Sequence, residues 1–502
     1  MPTTLDRAVN PLLSSASQLF VKMSQRNNMA KATVIRVSNR KRKQTLVEEH
    51  LQLQDIEDSA PSSCSSSFTK DEIHKLRLAL LEWYDNNHRD LPWRTFKNAS
   101  NGDDEEEEEE DDEEVQRRAY GVWVSEVMLQ QTRVQTVIAY YNRWMKKWPT
   151  IHHLAQASLE EVNEMWAGLG YYRRARFLFE GAKKIVAEGG RIPKMASMLQ
   201  KIPGIGEYTA GAIASIAFNE AVPVVDGNVV RVIARLRAVS ANPKDSATVK
   251  RFWKVAAQLV DPLRPGDLNQ SLMELGATVC MPLNPSCSSC PVSEFCKALS
   301  ISKEDTSVAV TDYPVKGTKV KQRCDFSAVC VVELLGADTM SDEKQSTSKF
   351  ILVKRPDEGL LAGLWEFPSA SLDGETASSA RREATNYFLK NVLKIDARSK
   401  RTCNIVLRED VGEFVHIFSH IRLKLYVELL VLQLKGKVED LLSSHGNETT
   451  NWKCVDGNSL SSMGLTTSVR KVYNLVQKFK QKSFPSHVPA KKRSRTTRRN
   501  IV

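Results

Sequence analysis

The sequence lacks the features of a membrane protein or of a secreted disulfide-bonded protein. Its 502 residues contain no run approaching eighteen apolar residues, so we expect no membrane span. The nine cysteines are an odd number, and four of them fall within residues 280–296, which is unlike a secreted disulfide framework. These absences favour an intracellular protein of two or three domains with one metal or cluster site.

Acidic residues are scarce at the N terminus and concentrated in one segment. The first forty residues contain a single acid, Asp6, whereas residues 103–114 are twelve consecutive acids. The net charge is +11, so the rest of the chain carries +23. Such a charge favours a polyanionic partner, with a well-solvated basic surface as the alternative. We expect the acidic insert to form a solvated loop, because like charges repel.

The order of apolar and polar residues predicts the domain boundaries. We predict a disordered basic segment at 1–68, a helical domain at 69–300, a linker at 301–324, an α+β domain at 325–483 and a basic tail at 484–502. In the α+β domain, strands are expected at 328–335, 350–354 and 421–429, and helices at 376–393 and 467–480. Basic runs at 39–43 and 491–495 indicate nuclear import, and the acid-poor N terminus also fits an organelle transit peptide.

Four cysteines form the most specific motif for a metal centre. Cys280, Cys287, Cys290 and Cys296 are separated by six, two and five residues. This unequal spacing suits a [4Fe–4S] cluster, since zinc sites usually show two short cysteine pairs. A zinc ion and four unligated core thiols are the alternatives.

Residues 202–210, Ile-Pro-Gly-Ile-Gly-Glu-Tyr-Thr-Ala, predict a helix–hairpin–helix. Gly204 and Gly206 would let the backbone approach a phosphate, and the amides that start the next helix would point at it. Such a contact positions a protein on DNA without reading the base sequence. An ordinary glycine-rich turn is the alternative.

Two carboxylates on different helices form a candidate catalytic pair. Asp226 opens a helix whose N terminus should keep it ionised, although a lone aspartate there is usually only a cap. Glu126 lies on a largely apolar helix, where a carboxyl keeps its proton longer, although a lone glutamate is usually a surface residue. One neutral acid and one ionised acid are what glycosidic-bond cleavage requires.

These motifs, in this order, resemble the endonuclease III-like DNA glycosylase superfamily over residues 69–300. Members that also cut the DNA backbone have a lysine where this chain has Tyr208, and a phenol cannot form a Schiff base with the sugar. The strings at 91–94, 123–132 and 168–172 closely resemble MutY-type adenine DNA glycosylases. Those at 361–368 and 418–420 resemble the C-terminal Nudix-like domain of these enzymes.

The resemblance implies a fold and an activity. The fold would be a mainly α helix–hairpin–helix core with a [4Fe–4S] loop, followed by a C-terminal α+β Nudix-like domain. A monomeric, monofunctional enzyme would remove adenine mispaired with 8-oxoguanine or guanine from double-stranded DNA, leaving an abasic site. Repair or replication proteins stay open as partners. The glutamates of a Mg²⁺-binding Nudix helix are missing around Arg381, and residues 297–323 contain no cysteine for a second metal, so we expect neither pyrophosphate hydrolysis nor a zinc-binding linker.

The resemblance also implies roles for individual residues. Glu126 would act as general acid, Asp226 would stabilise or attack the sugar, and Tyr208 and Asn228 would hold the site. The walls around the flipped adenine would be Arg89, Trp93, Leu129 and Glu274. The surroundings of the opposite base would be Gln131, Thr132, Leu169 and Tyr171, with Ser419 and His420 touching it from the other side. The cluster would be structural.

Two other functions remain as alternatives. A bifunctional pyrimidine glycosylase and lyase is disfavoured by Tyr208 and by the second domain. A non-catalytic damage sensor is disfavoured because Glu126 and Asp226 are both present.

Overall fold

The structure is a computed structural model that describes residues 67–94, 111–315, 317, 321–335, 348–396, 403–434 and 451–483. All of these belong to one unit, Ser66–Val502. The basic runs at 39–43 and 491–495, most of the N-terminal segment and tail, and residues 103–110 of the acidic insert lie outside the described residues.

The first part of the described chain is helical. Thr69 and Ser158 each cap a helix through a capping box. No described helix has the length and apolar character that crossing a bilayer requires. The helices are α1 Lys70–Asn87, α2 Asp112–Leu129, α3 Val134–Lys147, α4 Ile151–Ala155, α5 Leu159–Trp166, α6 Arg173–Ala187, α7 Ala196–Leu199, α8 Glu207–Phe218, α9 Gly227–Leu236, α10 Ser246–Leu259, α11 Pro265–Thr278 and α12 Lys297–Glu304.

These helices bury two hydrophobic cores. The first is built mainly by α2 to α8 and contains Trp123, Trp144 and Trp166, which are almost fully buried. The second is built by α1, α9, α10 and α11 around residues such as Leu76 and Phe252. Helix α8 packs against α2 of the first core and against α11 of the second. The two cores therefore meet along α8, where side chains from both can reach one site.

The acidic insert is not a loop throughout, so that expectation is wrong for its last residues. Helix α2 begins at Asp112, and the Asp111 side chain accepts a hydrogen bond from the Glu113 N–H at 3.1 Å. Negative side chains in a first turn stabilise the positive end of the helix dipole. Asp112 also pairs with Arg191 and with Lys194, which offsets the repulsion among neighbouring acids.

The linker between the two parts is shorter than the predicted 301–324. Helix α12 continues to Glu304, and the first strand begins at Arg323. Between them, the carbonyl of Tyr313 accepts a hydrogen bond at 3.2 Å from Nε of the buried Arg235. This part of the linker therefore lies against the helical core.

The described C-terminal residues form a mixed sheet of seven strands flanked by helices. The strand order is β3-β2-β1-β6-β5, with β4 paired to β1 and β7 paired to β2; β1 and β6 are parallel. The predicted strands and helices are found, and all three strands extend further than predicted. The elements are β1 Arg323–Leu335, β2 Lys349–Lys354, β3 Trp365–Glu366, β4 Ser369–Leu372, α13 Ser378–Val392, β5 Cys403–Ile417, β6 Ile421–Leu434, β7 Trp452–Asp456, α14 Gly457–Ser462 and α15 Thr467–Ser483.

The sheet is buried on both faces by helices. In β1, Val329 and Val331 point into a core with α15, whereas Cys330 and Val332 point into a core with α13. Alternating strand residues project to opposite faces, so a strand that is apolar throughout requires cover on both sides. This explains why the parts of β1 and β6 at 328–335 and 425–432 are mostly apolar.

The turn between β2 and β3 attaches the sheet domain to the helical part. Leu364 is buried in the first helical core, and Leu361 packs against it. Nη1 of Arg176 donates to the Asp357 carbonyl at 3.5 Å. Gly464, which follows α14, makes a second contact between the two parts. A Cβ on Gly464 would lie 2.3 Å from the Cα of Glu164, so only a glycine lets the backbone approach α5 this closely.

Candidate active site

Glu126 lies in the buried part of α2. Residues 119–128 of this helix are all buried, so the carboxyl group of Glu126 has little access to water. Burial raises the pKa of Glu126 to about 7, and the charge of Asp226 acts in the same direction. A hydrogen bond from Tyr208 and the charge of Arg94 oppose the rise. Glu126 is buried among apolar neighbours, so the alternative of a surface glutamate is wrong.

Asp226 caps α9 and is held by three donors. Its carboxylate accepts from the N–H groups of Asn228 at 2.9 Å and Val229 at 2.8 Å, and from Nδ2 of Asn228 at 2.7 Å. Burial nevertheless raises the pKa of Asp226, against the lowering by these hydrogen bonds and by the charge of Arg231. The amides at the start of α9 thus act in the direction that the sequence predicts, and burial opposes them because α9 starts in the interior rather than at the surface.

Tyr208 joins the two halves of the site from the first turn of α8. Its hydroxyl donates to Oε2 of Glu126 at 2.5 Å and lies 3.6 Å from Sδ of Met273. Burial and the charges of Glu126 and Asp226 raise the pKa of Tyr208 well above its usual value. The phenol therefore stays protonated and acts as a donor.

Asn228 connects Asp226 to the loop that follows α11. Its Oδ1 accepts from Nη2 of Arg231 at 2.7 Å, and Nε of Arg231 donates to the carbonyl of Cys280 at 2.8 Å. The orientation of the carboxylate is thus fixed by a chain of hydrogen bonds that ends at the first cysteine of the motif.

Glu274 is paired with two arginines. Its carboxylate, 1% exposed, accepts from Nε of Arg89 at 2.5 Å and from Nη2 of Arg94 at 2.9 Å. Burial raises the pKa of Glu274, but the hydrogen bonds and charges of the two arginines outweigh it, and the net shift is downward. Of the four predicted adenine contacts, the structure thus joins Arg89 to Glu274, while Trp93 and Leu129 lie in the first core.

The two glycines of the hairpin are needed for different reasons. Gly204 has a left-handed backbone, with φ of +81°, and a Cβ there would lie 2.5 Å from Cβ of Phe177. Gly206 caps α8 without a side chain, and a Cβ there would meet nothing within 4 Å. Gly204 is therefore required by folding, whereas Gly206 leaves the start of α8 without a covering side chain.

Comparison with known proteins assigns the family. Two family models match, HhH-GPD superfamily base excision DNA repair protein at residues 124–258 and NUDIX domain at 344–475. The human adenine DNA glycosylase is 45% identical over 443 residues, which cover 81% of this chain and 74% of that protein. The chain belongs to the adenine DNA glycosylase family. The family and both parts of the fold that the motifs predict are confirmed.

A second relative and a solved structure each match part of this chain. The adenine DNA glycosylase of Arabidopsis thaliana is 58% identical over 424 residues, covering 81% of this chain. The matched region spans 65% of that relative's own length. Among solved structures, a thermostable thymine-DNA glycosylase is 25% identical with a TM-score of 0.39, covering 46% of this chain and 98% of that chain.

The four cysteines of this family member come together in one loop after α11. All four are partly buried, and Nη1 of Arg235 lies 3.2 Å from Sγ of Cys280. Burial, followed by the charges of Cys280, Cys296 and Cys287, raises the pKa of Cys290 to about 11, which shows that the thiols are electrostatic neighbours. Among the described residues, no three such side chains form the shell of a single metal ion.

The residues predicted to surround the opposite base lie on two neighbouring turns. Gln131 and Tyr171 both have left-handed backbones, with φ of +56° and +49°, and both side chains are exposed. Arg174 hydrogen-bonds to Thr132 on one turn and to the Leu169 carbonyl on the other. The structure thus places these residues on two turns that Arg174 joins.

Ser419 and His420 form the exposed tip of the hairpin between β5 and β6. The turn is closed by the Phe418 N–H, which donates to the carbonyl of Ile421 at 2.8 Å, and the Ser419 hydroxyl lies 3.1 Å from Nδ1 of His420. The ring of Phe418 packs edge-on against His416 at 4.7 Å. These polar side chains are therefore presented outward on a supported turn.

Sequence reasoning missed four arginines that organise the site. Arg94 and Arg231 act on the carboxylates, Arg235 supports the cysteine loop, and Arg174 joins the two turns. Arginine is common on solvated helix faces, so residue type alone gives no signal. Only the fold shows which of them point inward.

The raised pKa of Glu126 can be tested by infrared titration of its carboxyl band. We expect a midpoint at about pH 7 in the unaltered chain. Tyr208→Phe should move this midpoint upward, because the phenol stabilises the ionised carboxylate. The band is assigned by its loss in Glu126→Gln, and Tyr387→Phe, at a residue that is 74% exposed, is the control. A midpoint near 4.5, or no upward movement in Tyr208→Phe, would contradict this electrostatic account.

Proposed function

We propose that this chain is a monofunctional DNA glycosylase that removes adenine mispaired with 8-oxoguanine or guanine and leaves an abasic site. The observation that carries the proposal is the pair of buried carboxyl groups, Glu126 with a pKa of about 7 and Asp226 held by three donors. The relatives' printed names, adenine DNA glycosylase, support adenine as the base released.

Glu126 and Asp226 divide the chemistry of bond cleavage. Glu126 donates its proton to N7 of a flipped-out adenine, so the protonated base takes the electrons of the breaking N-glycosidic bond and leaves as neutral adenine. Asp226 stabilises the positive charge that develops on the sugar, directly or through a short-lived covalent adduct. The ionised Glu126 then accepts a proton from the attacking water, whose oxygen becomes bonded to C1′.

Tyr208 makes the reaction stop at the abasic site. Its hydroxyl holds Glu126 at 2.5 Å, and a phenol cannot form the imine through which a lysine would cut the backbone. The rival function of a bifunctional lyase thus lacks its nucleophile at this position.

Two groups of residues support recognition of the opposite base. Gln131, Thr132, Leu169 and Tyr171 lie on the paired turns beside the end of α2 and surround or fill the gap next to 8-oxoguanine. Ser419 and His420, at the hairpin tip of the sheet domain, contact the damaged base from its other side. The polar side chains of Ser419 and His420 are exposed and can form hydrogen bonds to a base edge.

A [4Fe–4S] cluster is the group that best fits the cysteine loop. Cys280, Cys287, Cys290 and Cys296 would hold it, and Arg235, whose Nη1 lies 3.2 Å from Sγ of Cys280, would balance negative charge on the thiolates. The unequal spacing of the four thiols and their electrostatic proximity suit a cube better than zinc. The cluster would be structural, fixing a loop that reaches Asp226 through Arg231.

The proposed partner is double-stranded DNA, bound by a monomer through the hairpin and the basic surface. Nuclear localisation, with an organelle as the alternative, is proposed from the basic runs at 39–43 and 491–495 alone.

Adenine release from a duplex with one adenine opposite 8-oxoguanine tests the activity. We expect strand cleavage only after alkali, no reaction on an A:T duplex, and a loss of about 100- to 1,000-fold in Asp226→Asn, the range for removing an electrostatic stabiliser. Asp245→Asn, at an exposed cap that makes no side-chain capping bond, is the matched control. Cleavage without alkali would mean a lyase, and tight binding without release would favour a damage sensor.

Metal analysis of the purified chain tests the cluster. We expect about four iron and four sulfide per chain. Cys287→Ser should lose this content, whereas Cys324→Ser, at an exposed cysteine outside the loop, should retain it. One zinc per chain, or equal loss in both variants, would overturn the assignment.

A further inference from the structure

The two terminal nitrogens of Arg174, the second residue of α6, lie within hydrogen-bonding distance of six acceptors. Three acceptors surround Nη1 and three surround Nη2, so the four N–H groups are shared among them, and the acceptors belong to the segments 127–132 and 169–170. The Nη1 acceptors are the carbonyls of Val127 at 2.8 Å, Met128 at 3.1 Å and Gln130 at 2.5 Å. The Nη2 acceptors are Oγ1 of Thr132 at 3.4 Å and the carbonyls of Leu169 at 3.3 Å and Gly170 at 3.2 Å.

The Nη1 contacts close the end of the helix that carries Glu126. The last carbonyls of an α-helix have no amide partner within the helix. In α2 these include Val127 and Met128, which directly follow Glu126. Arg174 thus serves as a side-chain cap from another helix, and it fixes the last turn on which the general acid sits.

The Nη2 contacts reach the two turns that were assigned to the opposite base. Each turn contains one non-glycine residue in the left-handed region, Gln131 with φ of +56° and Tyr171 with φ of +49°. Such strain persists only where surrounding contacts fix the backbone, and it concentrates at sites that hold a side chain toward a ligand. Both side chains are exposed, and Arg174 lies beneath both turns.

Aromatic residues surround the same guanidinium. Its carbon lies 5.3 Å from the ring centre of Trp166 and 5.5 Å from that of Tyr171. Nε1 of Trp166 donates to the Gly170 carbonyl at 2.9 Å, and the Tyr140 hydroxyl donates to the Ala167 carbonyl at 2.7 Å. Burial lowers the pKa of Arg174 to about 10, so the group remains a cation at neutral pH.

We infer that Arg174 is a positioning residue. Its planar guanidinium fixes both the end of the helix that carries Glu126 and the two turns that face the opposite base. The inference rests on the proposed function and deepens it, because it names the group that couples the position of Glu126 to the positions of the two turns. Lysine cannot replace it, because a single ammonium cannot reach two sets of carbonyls held by a rigid fork of donors.

Single-turnover adenine release at saturating enzyme tests this role in Arg174→Lys. On A:8-oxoguanine we expect the rate constant to fall at least about tenfold, because small displacements of a catalytic group cost large factors in rate. The rate constant on A:8-oxoguanine divided by that on A:G should also become smaller, since the turns around the opposite base lose their support. Arg173→Lys, at the exposed neighbour on the same turn, should change neither quantity.

The rate constant separates positioning from folding. A variant that folds poorly lowers the amplitude of the reaction, whereas misplacement of Glu126 lowers the rate constant of the folded fraction. In Arg174→Ala, added methylguanidinium should raise the rate constant. Unchanged rate constants with a lower amplitude or Tm, or a depressed rate constant that methylguanidinium does not raise, would overturn the inference.

Failure of the proposed lesion preference gives a different result. In that case the unaltered chain would release adenine equally well opposite 8-oxoguanine and guanine. The rate constants of Arg174→Lys on A:G would still fall if Arg174 positions Glu126, so the two conclusions fail separately.

Discussion

The burial of one carboxyl group, that of Glu126, is the constraint on which the site depends. The apolar stretch at 119–128 places this group inside the protein, and the resulting loss of hydration raises its pKa to about 7. The same burial acts on Asp226, but three donors converge on that carboxylate and its helix N terminus faces it. Two carboxyl groups in one interior therefore receive different support, which suits one to donate a proton and the other to stabilise positive charge.

The two-core arrangement of the helices makes this pairing possible. Glu126 comes from the first core and Asp226 from the start of a helix in the second, and Tyr208 joins them from α8, which packs against both. Arginines then fix the surroundings, because a planar guanidinium can bind several carbonyls that no backbone amide reaches. Leu361 and Leu364, in the turn between β2 and β3, attach the sheet domain to the first helical core. The strands beside this turn belong to the core of the sheet domain. The hairpin tip at Ser419 and His420 is therefore part of a packed unit.

Local sequence patterns predicted elements that the structure contains. Thr69 and Ser158 are typical capping residues at the starts of two helices, and the four cysteines lie in one loop as their spacing indicates. The pattern could not give the balance of opposing effects. It predicted the effect of the helix terminus on Asp226 but not the opposing effect of burial, and it predicted a loop through Asp112, where ion pairs with Arg191 and Lys194 let a helix begin. Both differences arise from contacts between segments distant in sequence.

The pH dependence of single-turnover adenine release tests the central claim most directly. If protonated Glu126 is the general acid, the rate constant should fall about tenfold per unit as pH rises above about 7, the pKa of that group. Tyr208→Phe should move this limb to higher pH, since it removes the hydrogen bond that favours the ionised form. A rate constant that stays level through this range, or rises where Glu126 loses its proton, would contradict the account.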